Sequence, residues 1–156
     1  MASNYKPVGG VKSVFLYSAE AISTILFSSE GCEVEFVDTP IEVELLEDKS
    51  SYEERVEVSK GQTKVVHTLR LVADRVKAEK WLETEFLERA SLDGVIADVL
   101  LADNRRVVVG YSLLFGDEQP LRLESLISTS GSTPHDRPSV TLQLVSCDTE
   151  FACRII

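Results

Sequence analysis

The chain has 156 residues, 44% of them hydrophobic and 27% charged. That is enough apolar material for one soluble domain with a buried core, and it argues against extended disorder. Sixteen basic against twenty-six acidic residues leave a formal charge of −10, so a grip on nucleic acid would need a local basic patch; Arg105-Arg106 and the scattered Arg70, Arg75, Lys77 and Lys80 do not make one.

The chain opens with MASNYKPVGGVKSVFLYSAEA. A charged segment followed by a long apolar one is absent there, so no secretory signal is expected. Polar residues and Pro7-Val8-Gly9-Gly10 make residues 1–10 an expected flexible arm that orders on assembly. No apolar run approaches the ~20 residues that span a bilayer, so no membrane partner is expected. Cys32, Cys147 and Cys153 are odd in number and lack a CxxC spacing, which reads as three reduced thiols in an intracellular protein.

Period two then dominates. In Cys32–Val37, Val34 and Phe36 share a face; in Ile41–Leu45, Ile41, Val43 and Leu45 do, with Glu42 and Glu44 toward water. Thr39-Pro40 separates the two, since proline breaks a ladder. Tyr52–Val58 and Thr63–Ala73 read as two more strands around a Lys60-Gly61-Gln62 turn. His67 falls in the parity of Val65, Leu69 and Leu71, a packing position with no second ligand at a helpful spacing.

The period changes over Val76–Leu92. Ala78, Leu82 and Phe86 recur at four, and Glu79, Glu83, Glu85, Glu88 and Arg89 take the other face. This predicts one amphipathic helix at about 76–92, with Asp74 as N-cap, Gly94 as stop and Trp81 anchoring it to a sheet. Strands follow at Val95–Leu101 and Arg106–Phe115 around an Asp103-Asn104 turn, in which both residues tolerate positive φ, then at Leu121–Ser128 and Val140–Val145. Gly116–Pro120 is a loop. The expected fold is mainly β within the α+β class: one domain over residues 11–156, an antiparallel barrel or sandwich with one flanking helix.

His135-Asp136 is the one pair that suggests metal chemistry. Metal sites need three or four converging ligands, and here the pair sits in STSGSTPHDRPSV, where Thr133 and Arg137 precede prolines and favour extended backbone. It reads as a loop between strands. There is no GxSxG, no glycine-rich phosphate loop, and no histidine placed by register to serve Cys32 or Cys153 as a base. No catalytic, cofactor-binding or metal residues are therefore assigned, and no enzyme is expected.

The order of these pieces resembles the phage and prophage tail-tube-like structural proteins found in Bacteroidetes-type genomes. The parts are VVHTLRLV, AEKWLETEFLERASL, VIADVLLADNRRVVVGYS and STSGSTPHDRPSVTLQL, over about Thr63–Ala152, with KPVGGVKSVFLYSAEAI as the opening strand and turn. The hairpin departs in having Asn104-Arg105 where glycine usually follows asparagine, and the loop carries an extra proline. The resemblance implies a β-barrel or sandwich beside one helix. It implies a subunit that forms homo-oligomeric rings with itself, meets other tail proteins, and lets DNA pass a lumen without specific binding. It also implies assembly in the bacterial host cytoplasm and residence in the virion. The expected contact carriers are Gly116–Pro120, Ser128–Ser139 and an acidic hairpin over Glu42–Glu57. The competing expectation is a small non-catalytic accessory domain that binds a protein or carbohydrate.

Overall fold

The structure, a computed structural model, describes residues 10–130 and 137–156. Nearly all of the expected arm, and the His135-Asp136 pair with Gly131, lie outside the described residues.

The first strand, β1 (Val11–Ser18), leads to a hairpin of β2 (Ile22–Ser28) and β3 (Gly31–Phe36), then to the two-residue β4 (Ile41–Glu42). A second hairpin follows, β5 (Ser51–Ser59) and β6 (Gln62–Asp74). A 3₁₀ turn (Glu79–Leu82) and α1 (Thr84–Leu92) precede β7 (Val95–Leu101) and β8 (Arg106–Val109). The chain ends in β9 (Arg122–Thr129), β10 (Ser139–Asp148) and β11 (Cys153–Arg154).

Two antiparallel sheets carry the fold. One runs β11-β8-β7-β1-β4, the other β5-β6-β10-β9. They pack as a sandwich and do not close into a barrel. Alternation supplies the inner faces: Val14 and Leu16 of β1 and Val95, Ala97 and Val99 of β7 meet Leu69 and Leu71 of β6 and Leu142 and Leu144 of β10. Register aligns these layers, since Leu142 lies opposite Leu71 and Leu144 opposite Leu69. Trp81, Phe86 and Ala90 bring the helical segment into the same core.

The first sheet is also covered on its outer face. Ile96 and Val108 point away from the sandwich and pack with Cys32, Val34, Phe36, Ile25 and Ile155, so the β2–β3 hairpin forms a third layer. Tyr17 stacks on Phe36 with ring centroids 3.9 Å apart. Asp98 shares this face with a 5% exposed side, and Arg106 grips both its oxygens at 2.6 and 3.3 Å. A buried carboxylate needs such a two-pronged partner to offset its lost hydration.

Several sequence expectations are corrected. The single helix at 76–92 is a 3₁₀ turn and a shorter α-helix, broken where Glu83 is extended (φ −69°, ψ 136°). Asp74 ends β6, and it is its backbone carbonyl that accepts from the Lys77 and Ala78 N–H groups; Glu83 occupies the N-cap of α1, with no side-chain capping bond. Gly94 does stop the helix, at φ +83° with its N–H on the Arg89 carbonyl. Ile41–Leu45 pairs only at Ile41–Glu42, on β1. Past it the chain crosses to the other sheet, where the Leu46 N–H bonds to the Val72 carbonyl. The expected acidic hairpin over Glu42–Glu57 is therefore this crossing followed by β5, which pairs with β6. The long strand Arg106–Phe115 ends at Val109, and of Asp103-Asn104 only Asn104 has positive φ. β2 has no counterpart among the strands that the alternation predicts.

Candidate functional site

Sheet register places three polar side chains in one row on an inner face. Glu54 of β5 lies opposite His67 of β6, and His67 lies opposite Ser146 of β10. The residue types are those of a hydrolytic triad, so the wiring decides what the row can do. The His67 Nε2 is 2.9 Å from the Glu150 carbonyl. A carbonyl only accepts, so Nε2 carries the hydrogen. In the neutral ring Nδ1 then accepts from the Tyr52 hydroxyl at 2.6 Å. Ser146 Oγ donates instead to the Gln119 carbonyl at 2.7 Å. Neither ring nitrogen is free to take a proton from Ser146. The row fastens β5, β6, β10 and two loops together.

Tyr52 is held in its neutral form. Burial pushes its pKa up, and the nearby charge of Glu54 pushes it further. Glu54 also accepts from the Ala152 N–H at 2.7 Å. Beside this row a cleft of about 310 Å³ opens between the sheets, lined by Tyr52, Glu54, Asp103, Arg105 and Arg154 among others. Arg105 is tied to Asp103 at 2.7 Å. Among the described residues no group of three or more His, Cys, Asp or Glu is arranged to hold a metal ion.

The sheet edges offer a different kind of site. β5 and β9 are the two edges of the four-stranded sheet. The β5–β6 hairpin also outruns its neighbour: β10 pairs with β6 only over Val65–Asp74. Residues 57–64 thus project as a two-stranded ribbon, with exposed Val58 on it and exposed Val56 at its base. Ser59 pairs with Gln62 across a two-residue turn, so the Ser59–Gln62 pair exchanges hydrogen bonds and alternate residues face the open side. By that alternation the N–H and C=O groups of Val58, Val56 and Glu54 point away from β6. On the far edge, Ile127 of β9 is exposed.

The expected contact carriers are placed unevenly. In Gly116–Pro120, Pro120 is buried against Gly94 and the Gln119 carbonyl is taken by Ser146, so half of that loop is docked inward. Of Ser128–Ser139, the described ends belong to β9 and β10, and Arg137 pairs with Asp74. The exposed valines of β5 carry no mark in the sequence, because Val56 and Val58 share the parity of Tyr52, which is part-buried; only the strand pairing, with β5 at the sheet edge and β10 ending opposite Val65, shows that they lie at the margin of the core. No protein-family model matches this chain, and no curated protein matches it.

Proposed function

We propose that this chain is a structural subunit of a phage or prophage tail, self-associating into rings that stack as a DNA conduit. The observation that supports it is the pair of open edges, β5 and β9, on opposite sides of one sheet. An open edge is an unmet set of donors and acceptors that either is blocked or pairs with a neighbour. Two edges on opposite sides allow head-to-tail addition, and such addition closes into a ring when the rotation permits. Exposed Val56, Val58 and Ile127 on those edges would lose water on pairing. The formal charge of −10 suits a conduit along which DNA slides without being held. Other tail proteins would meet the ring faces, and assembly in the host cytoplasm would precede residence in the virion.

Light scattering against concentration, with electron microscopy of the same sample, tests this. Rings or tubes are expected. The Val56→Pro variant adds specificity: its N–H faces the open side, so proline spares the ladder to β6 and removes an outward donor. It should stay folded and lose assembly. A wild-type monomer at every concentration would favour a non-catalytic accessory domain that takes a protein or carbohydrate partner.

A further inference from the structure

We infer that Cys32 and Cys153 are a matched thiol pair that closes into a disulfide on oxidation, tying β11 to the β2–β3 layer. Both side chains lie in the core on the outer face of the first sheet. Cys153 stands opposite Val108 in the β8–β11 pairing, so it shares that outward face. Two residues on, Ile155 has the same parity, is buried, and forms a parallel bridge with Cys32. Cys32 is thus the diagonal neighbour of Cys153 on a common face, the placement from which side chains of adjacent strands meet.

The backbones are held close at this point. The Ile156 N–H donates to the Cys32 carbonyl at 2.9 Å. Gly31 lies against β11 so tightly that a Cβ there would stand 2.3 Å from the Arg154 carbonyl oxygen. A disulfide needs such an approach of the two backbones. All three cysteines are free thiols in this structure.

The two thiols differ in access, which orders the chemistry. Cys32 is fully buried; burial first, and the neighbouring Cys153 thiol second, push its pKa up to about 12. Cys153 is partly exposed. A small-molecule disulfide such as oxidised glutathione is the oxidant. The Cys153 thiolate attacks one of its sulfurs, forming a mixed disulfide and releasing one glutathione thiolate. The Cys32 sulfur then attacks the Cys153 sulfur, gives up its proton, and displaces the second glutathione as a thiol. Two protein thiols have lost two electrons and two protons, and one small disulfide has become two thiols. This inference is independent of the tail reading. Were that reading also right, the pair would stay reduced in a cytoplasm and close once the particle leaves it.

The test is to incubate the full chain with oxidised glutathione and map its peptides under non-reducing conditions. The expected product joins the Cys32 and Cys153 peptides within one chain, while exposed Cys147 is free or carries glutathione. Oxidation should raise the melting temperature of the Cys147→Ser variant and leave that of Cys147→Ser with Cys153→Ala unchanged. A stable glutathione adduct on Cys153 with Cys32 still free, or oxidation confined to Cys147, would overturn the inference. Peptide mapping of the wild-type chain keeps the test decisive even if a variant folds poorly.

Discussion

Tyr52 and Cys32 are both kept neutral by burial, and this gives the molecule a direction of pH dependence. Folding raises the Cys32 pKa from 9.0 to about 12 and raises that of Tyr52 above 10.0. Above the unfolded values the unfolded chain releases protons that the folded chain keeps, so stability falls as pH rises. For Cys32 the window is pH 9 to about 12, with a loss approaching ~1.4 kcal/mol per pH unit. Denaturant unfolding across that range should show the decline in reduced protein, and Cys32→Ala should flatten its lower part; an unchanged slope would refute the assignment. Tyr52→Phe removes the hydroxyl that His67 Nδ1 accepts from and should cost ~1–3 kcal/mol at neutral pH, as for other buried partners left unmatched. Trp81, fully buried between the helical segment and the sheets, should cost ~3–5 kcal/mol when changed to Ala.

Elements join through contacts that leave no room for substitution. Gly94 turns the chain from α1 into β7 at φ +83°, and a Cβ there would stand 2.5 Å from the Pro120 Cγ. Gly94→Ala therefore meets both an unfavourable backbone region and a steric conflict. The expected cost is ~2 kcal/mol or more, read as a lower denaturant midpoint with an unchanged slope. The projecting ribbon lies at the other extreme. Residues 57–64 have only each other as ladder partners among the described residues, and an isolated hairpin is marginal in water. Their amide hydrogens in the free subunit should exchange well before those of Leu69 and Leu71, which are flanked on both sides. If the chain assembles through β5, the outward amides of that strand should gain protection in the assembled state.

At the scale of the whole molecule, one sheet carries cores on both faces while the other has β5 and β9 as its edge strands. The β2–β3 layer shields Ile96, Val108 and Asp98, so the first sheet is an inner layer. The four-stranded sheet has no comparable cover along β5, and this asymmetry directs association to its edges. Raising salt should leave such association largely intact, because backbone pairing and apolar burial are screened little. A steep loss of rings with salt would point to ion pairs as the glue instead.

Alternation and turn chemistry, both local properties, were sufficient for β5, β6, the turn at Lys60-Gly61, β7, β9 and β10, and for the packing role of His67. They failed where a strand departs from its own pattern. β2 carries a register shift between Ile22 and Thr24, which breaks the alternation by which a strand is recognised. Ile41–Leu45 alternates cleanly, yet Val43 is buried without a ladder, since alternation reports which side chains are buried and not which backbone is paired. The helix break at Glu83 has no local sign, because glutamate is a good helix former; the break coincides with Trp81 turning fully into the core. By itself the sequence determined a mainly β fold with a helical segment between its strands, because periodicity and turns are written within a few residues. The Glu54–His67–Ser146 row, the Cys32–Cys153 pair and the open edges were decided only by the tertiary structure, because each depends on residues that strand pairing or sheet packing brings together from distant parts of the chain.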